Sequence, residues 1–334
     1  MTQTGIRADL ARVIANRGLD LLGPWLGPEQ VKQDVLAVLY AGRHLLLEGP
    51  VGSGKTLMAS LIARALPDIE LATCDFGCLP DQPVCPQCVA GNVATRVVPG
   101  VERMVRVQGS PDLLPEDLVG DLDPAAALRF GALDTRALRP GRLLRAHRRI
   151  CFLDEVNRLS ERLQNLLLEL LEEGAMTIGG YDHRFVVDTV VVATMNPAEY
   201  VGTERLSEAL SDRFERVRLD YPKPEDEVRI LRERVTLTMP QFDRAPAAAA
   251  EAVVSFANQL RGEAMVRTPP SVRAALSAYE LALTHYALAP AAGWPAAVRS
   301  GIRVAFRGRV ALAHTSPDVD RLDAWLDGRL GELT

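Results

Sequence analysis

The stretch Leu45-Leu-Leu-Glu-Gly49-Pro-Val-Gly52-Ser-Gly54-Lys55-Thr56 decides the fold. Three apolar residues form a short strand, a glycine-rich loop follows, and Leu57, Met58, Leu61, Ile62, Ala65 and Leu66 then recur at helical spacing until Pro67. A strand that turns through G-x-x-x-x-G-K-T into a helix is built to hold phosphate. Glycines let backbone N–H groups curl around the anion, and the helix N-terminus adds the positive end of its dipole. Lys55 supplies a compact charge for the β- and γ-phosphates, and the Thr56 hydroxyl is placed to ligate Mg²⁺. Gly49, Pro50, Val51, Gly52, Ser53, Gly54, Lys55 and Thr56 are thus the expected nucleotide-binding loop. Of the 38 basic residues in the 334-residue chain only Lys32, Lys55 and Lys223 are lysines. One of those three stands where the loop needs a lysine.

Downstream, Ile150-Cys-Phe-Leu-Asp154-Glu155 is an apolar run ending in two carboxylates. A central parallel strand is buried on both faces, so charge is tolerated only where it emerges at its carboxyl end, where such sheets bind ligands. The expected division of labour gives Asp154 to Mg²⁺ and Glu155 to the attacking water. The alternative is that the two acids cap the next helix.

Around these motifs, candidate strands at Leu45–Leu47, Ile69–Thr73, Ile150–Leu153, Val186–Thr194 and Val217–Leu219 alternate with helical segments. That pattern predicts an α/β fold with a parallel five-stranded sheet flanked by helices. Leu163, Leu166, Leu167, Leu170 and Leu171 form one helical face, with Ser160 as its expected cap and Gly174 as its stop. After Tyr221-Pro-Lys-Pro224 the strand signals end, and helices are expected at 225–238, 247–262, 271–288, 296–313 and 318–329. The expected organisation is a helical leader (1–25), a nucleotide-binding domain (26–220) with an insertion at 74–88, and a small all-α lid (221–334).

Composition excludes several classes. With 48% apolar residues, 24% charged residues and a formal charge of −5, the chain lacks the basic surplus of a general nucleic-acid binder. No apolar run reaches the roughly 18 residues of a membrane span. The opening stretch carries charges throughout and has no secretory core, so the cytoplasm is the expected location. In that reducing compartment Cys74-x₃-Cys78-x₆-Cys85-Pro-Gln-Cys88 reads as a structural Zn²⁺ site rather than a disulfide framework. A thiol switch, or no ligand at all, are the alternatives. Cys151 reads as strand packing.

Several segments together resemble the AAA+ superfamily, in the branch that contains the MoxR ATPases and the magnesium-chelatase I subunits. They are His44–Glu48 with its loop, Ser110-Pro-Asp-Leu-Leu-Pro-Glu-Asp-Leu-Val-Gly120, Cys151–Arg158 with Gln164–Glu173, Ala193-Thr-Met-Asn-Pro197 and Gly202–Phe214, covering most of 26–220. The resemblance implies that Asn196 is the sensor-1 residue and that Arg213 is an arginine finger reaching a neighbouring subunit's ATP, with Arg205 as its nearest competitor. It also implies that Arg273, after Thr268-Pro-Pro-Ser271, is the sensor-2 arginine of the lid, and that Leu26-Gly27-Pro28 lines the adenine pocket. A hairpin over Gly174–Val187 and an insertion from Leu113 to about Arg139 match elements that line the pore in relatives; ordinary loops are the alternative. The cysteine insertion departs from the MoxR pattern and resembles one in some chelatase-I-like proteins.

The resemblance thus implies an ATP- and Mg²⁺-dependent ATPase that assembles with itself into a ring, a hexamer, and remodels a protein client with a von Willebrand A-domain partner. A motor subunit of a magnesium or cobalt chelatase is the alternative. A nucleic-acid motor ranks below both, given the charge.

Overall fold

The computed structural model describes residues 5–91, 93–178, 184–196, 206–242, 245–313 and 319–331. The chain divides into two compact units, Met1–Gly49 with Gly54–Leu219, and Pro50–Ser53 with Asp220–Thr334.

The first unit is built on a five-stranded parallel sheet. In chain order its strands are β1 (Leu45–Glu48), β2 (Met104–Gln108), β3 (Ile150–Asp154), β4 (Val190–Met195) and β5 (Glu215–Arg218), and their spatial order is β5-β1-β4-β3-β2. The strands alternate sides with period two. Leu45, Leu47, Ile150, Phe152, Val190 and Val192 pack with helices α1 (Ile6–Arg17), α2 (Glu29–Tyr40) and α3 (Lys55–Ala65). Leu46, Cys151, Leu153, Val191 and Ala193 face the opposite core, where α4 (Glu161–Glu173) buries Leu163, Leu167, Leu170 and Leu171. The N-terminal segment is therefore part of this unit's core: Ile6, Leu10 and Ile14 of α1 are all buried there.

Two expectations need correction here. The fifth sheet strand is Met104–Gln108, not Ile69–Thr73. Ile69–Ala72 instead pairs antiparallel with Thr95–Val98 in a separate ribbon that closes off the cysteine insertion. Ser160 stands at the N-cap of α4, but its side chain makes no capping hydrogen bond. Its carbonyl accepts from the amides of Leu163 and Gln164 at 2.9 and 3.0 Å. Gly174 does stop the helix, at φ 60°, in the left-handed region that glycine tolerates best.

The second unit contains helices α5 (Pro224–Thr238), α6 (Ala247–Gly262), α7 (Val272–Leu288), α8 (Gly293–Phe306) and α9 (Val319–Gly331) around one core that includes Phe256, Tyr279, Ile302 and Phe306. The helix expected over 296–313 ends at Phe306. The residues after it, Ala311–Leu312, pair antiparallel with Val266–Thr268, so this helical unit carries one small ribbon. Among the described residues, no helix is long and apolar enough to cross a membrane.

Candidate active site

The phosphate loop leaves β1 at Gly49, whose amide donates to the Met195 carbonyl of β4 at 3.2 Å. A Cβ on Gly49 would lie 2.3 Å from the Leu219 carbonyl oxygen, so only glycine fits there. Gly54 caps α3 at φ 88° and lies against the buried Trp25 indole. Trp25 also packs on Gly27, which anchors the Leu26-Gly27-Pro28 segment beside the loop. Lys55 opens α3 and is nearly buried. Its ammonium donates to the Gly49 carbonyl at 2.6 Å and to Asn196 Oδ1 at 3.0 Å. A buried charge needs such partners, and these point it across the strand tips.

The acidic pair sits at the carboxyl end of β3. Asp154 Oδ1 accepts from the Thr194 hydroxyl at 2.7 Å, and Oδ2 is ion-paired with Arg106. Glu155 follows in the left-handed region at φ 56°; only it and Arg148 among the described non-glycine residues have positive φ. Such a conformation costs on the order of 1 kcal/mol and persists where the surroundings enforce it. Here the Glu155 amide donates to Thr194 Oγ1 at 2.9 Å. The Gly109 amide donates to the Asp154 carbonyl at 2.6 Å, so close that a Cβ on Gly109 would meet the Glu155 carbonyl oxygen at 2.1 Å.

The Glu155 carboxylate is thereby aimed at Asn196, whose Nδ2 donates to Oε1 at 3.3 Å. Gln108 Nε2 and Arg158 Nη1 reach Oε2 at 3.2 and 3.0 Å. Lys55, Asn196 and Glu155 therefore form one continuous hydrogen-bonded chain, with Asp154 tied to the same group through Thr194. Four residues picked out separately in the sequence converge. Arg106, Gln108 and Thr194 were missed; the signal for Thr194 was a polar residue at the tip of an apolar strand, two positions before Asn196.

The candidate finger lies elsewhere. Arg213 pairs with Glu172 at 2.9 Å, donates to the Ala209 carbonyl at 3.2 Å and lies 3.7 Å from Asp212. None of these partners belongs to the loop or the acidic pair. Arg213 lines a cavity of about 460 Å³ with Arg7, Arg43, His44 and Glu172. Burial, then the nearby Arg7, pushes the His44 pKa down to about 4, and its Nδ1 accepts from the Val191 amide at 3.0 Å. Arg273 is exposed in the first turn of α7, in the second unit, where Ser271 Oγ accepts from the Ala274 amide at 3.2 Å.

Pro197 and Arg205 lie outside the described residues, as does the tip of the Gly174–Val187 hairpin. The flanks of that hairpin, Ala175–Thr177 and Arg184–Val186, pair antiparallel. The Leu113–Arg139 insertion forms a ribbon of Gly120–Leu122 with Leu138–Pro140 and presents Leu128 at 93% exposure.

Cys74, Cys78, Cys85 and Cys88 do converge. Their four sulfurs all lie within 4.8 Å of one another. A tetrahedral site with bonds of ~2.3 Å places sulfurs ~3.8 Å apart, so the cluster fits a thiolate-loving dication. Backbone amides support the sulfurs: Cys78 N–H on Cys74, Val84 N–H on Cys78 and Cys88 N–H on Cys85, at 3.3 to 3.5 Å. Hydrogen bonds from Cys78 and Cys85 hold the Cys74 thiol far below the usual range, while its hydrogen bond to Cys74 pushes the Cys85 thiol up. The knuckle is attached to the core by Phe76, which stacks on Phe185 at 5.4 Å. Cys151 is fully buried in β3, and burial raises its thiol to about 12, which suits packing.

Parts of the chain are similar to known proteins. Residues 84–216 match the AAA family profile described as "ATPase family associated with various cellular activities", and residues 25–74 match "Magnesium chelatase, subunit ChlI". The chain is 30% identical over 223 residues to Chaperone MoxR1 of Mycobacterium tuberculosis, covering 65% of this chain and 46% of that protein. It is 31% identical over 175 residues to the magnesium-chelatase 38 kDa subunit of Acidiphilium rubrum, covering 51% and 49%. It spans about half the length of the curated relatives it matches. Among solved structures, NtrX from Brucella abortus in complex with ADP is similar in fold, with a TM-score of 0.50 and 19% identity over 81% of this chain and 53% of that one. Over residues 25–74 and 84–216 the chain is thus similar to the AAA+ ATPases of the branch that joins the MoxR chaperones and the magnesium-chelatase ChlI subunits.

Proposed function

We propose that this chain is a ring-forming, Mg²⁺-dependent ATPase that remodels a protein client with a von Willebrand A-domain partner. The observation that carries the reading is the hydrogen-bonded chain from Lys55 through Asn196 to Glu155. It joins a phosphate-binding cation, a polar sensor and a candidate base in one site. The loop amides and Lys55 bind the phosphates. Glu155 orients the attacking water and takes its proton, and Asn196 holds that carboxylate in place. Thr56 and Asp154 would hold Mg²⁺, which supplies counter-charge to the phosphates. Asp154 suits a cation because its Oδ2 is already matched to one, the Arg106 guanidinium.

Arg213 acts across the subunit interface. Its partners lie away from the site of its own chain, as a residue serving a neighbour requires. Arg273 of the lid serves as the sensor-2 arginine. In sedimentation, wild-type protein saturated with Mg²⁺ and a slowly hydrolysed ATP analogue is expected to run as a closed ring many times the 36.4 kDa chain, six-fold for a hexamer. A monomer under saturating nucleotide would contradict ring assembly.

The second reading, a motor subunit of a metal chelatase, is favoured by the ChlI match over residues 25–74. Stimulation of ATPase activity by a porphyrin together with a chelatase partner, and not by a von Willebrand A-domain protein, would select it.

The four cysteines hold structural Zn²⁺, which staples an insertion too short for a core of its own. Their backbone N–H···S support and the reduced thiols of a cytoplasm suit that role. Protein purified without added zinc is expected to carry about one equivalent per chain, and chelation is expected to lower its melting temperature. Less than about half an equivalent, with a melting temperature indifferent to chelator, would remove the staple from the account.

A further inference from the structure

The edge strand β2 runs beside β3 in parallel register, with Arg106 opposite Phe152 and Gln108 opposite Asp154. Residues two apart on a strand share a face, so Arg106 and Gln108 both lean over the acidic tip of β3. The Arg106 guanidinium carbon lies 5.8 Å from the centroid of the Phe152 ring, and its Nη2 also donates to Gln108 Oε1 at 3.2 Å. Its main contact is the ion pair with Asp154 Oδ2. Thr194 occupies the other carboxylate oxygen. Both oxygens of Asp154 are therefore engaged, one by a neutral hydroxyl fixed in the sheet and one by a cation.

The two partners of the ion pair differ in freedom. The Asp154 side chain is 12% exposed and fixed at a strand tip, whereas the Arg106 side chain is 52% exposed at the sheet edge. A near-buried carboxylate without a counter-charge is costly, which gives Arg106 a reason to be there. A dication and a guanidinium on the same carboxylate repel each other. Arg106 is the partner with room to leave.

We propose that Arg106 is a gate on the metal-holding carboxylate. Its guanidinium neutralises Asp154 while no metal–nucleotide is bound and swings toward solvent when one arrives. Arg106 therefore sets the Mg²⁺ concentration at which the site fills. It acts through Asp154 and is a positioning residue. The inference rests on the assignment of Asp154 to Mg²⁺ made above, and its test is arranged to separate the two.

The test is binding of Mn²⁺, a paramagnetic stand-in for Mg²⁺, followed by electron paramagnetic resonance. It is made on full-length protein with a fixed concentration of a non-hydrolysable ATP analogue, so no turnover contributes. Arg106→Gln is expected to tighten Mn²⁺ binding about threefold to fivefold, the size expected for losing a competing half-exposed ion pair. Arg106→Lys keeps the charge and is expected to stay within about twofold of wild type. Asp154→Asn is expected to weaken Mn²⁺ binding. If Arg106→Gln leaves binding unchanged or weaker while Asp154→Asn weakens it, the gate is wrong and the metal assignment stands. If neither variant changes binding, the metal assignment falls and the gate with it. If Arg106→Gln does not fold, the Arg106→Lys comparison still decides: more than about fivefold weaker binding with the charge retained would mean that Arg106 supports the metal rather than competing with it.

Discussion

Lys55→Ala is expected to lose ATP affinity by about two orders of magnitude or more while the fold survives. The ammonium donates to the Gly49 carbonyl and to Asn196 Oδ1, and both bonds lie where a triphosphate would be cradled. Charge-assisted hydrogen bonds contribute about 1.5–3 kcal/mol each, and an alanine supplies none of them to the phosphates. Losing the same bonds in the free protein costs stability on the order of 1–2 kcal/mol, well short of unfolding an ordinary domain. Calorimetric titration with an ATP analogue, beside a thermal melt, separates the two effects. Affinity within a few-fold of wild type would mean that the loop does not hold the nucleotide.

Glu155→Gln should show the opposite split, with binding retained and turnover reduced on the order of 10²- to 10⁴-fold, the usual worth of a positioned base. The amide keeps an oxygen to accept from Asn196 Nδ2 and roughly the same volume, so the hydrogen-bonded chain to Lys55 stays intact. What it cannot do is take a proton from water. Arg213→Ala is expected to bind nucleotide and lose turnover as well, because an arginine finger contributes on the order of 10³-fold or more. Mixed rings of the two variants discriminate further. At some interfaces an intact Glu155 would meet an intact Arg213, so activity should partly return. A mixture as inactive as its components would place Arg213 outside the trans site, and wild-type turnover by Glu155→Gln would remove it as the base.

The parts of this fold legible in the sequence were those that burial on both faces makes apolar. Strands β1, β3 and β4 read as strands because their side chains fill two cores at once, and the acids at the tip of β3 followed from the same logic. Strand β2 did not, because an edge strand is allowed polar residues, and Arg106 and Gln108 interrupt its pattern. Ile69–Ala72 took its place in the sequence reading since it is apolar at the right distance from the loop, yet the cysteine insertion folds it onto Thr95–Val98.

At the site, the motif residues were visible and their partners were not. That Thr194 ties Asp154 to Glu155, or that Glu172 holds Arg213, depends on which strands and helices become neighbours, and spacing along the chain carries no record of that. The cysteines were legible as a group because two short spacings and three prolines already confine them. Their convergence needed no long-range information.

The most direct measurement is a structure of the protein with Mg²⁺ and a non-hydrolysable ATP analogue. The account predicts one triphosphate wrapped by Gly49–Thr56, with the Lys55 ammonium on its phosphates, the metal between Thr56 and Asp154, and the Glu155 carboxylate facing the terminal phosphate. A nucleotide bound elsewhere, with Lys55 still closed onto Gly49 and Asn196 and both acids remote from it, would contradict that account.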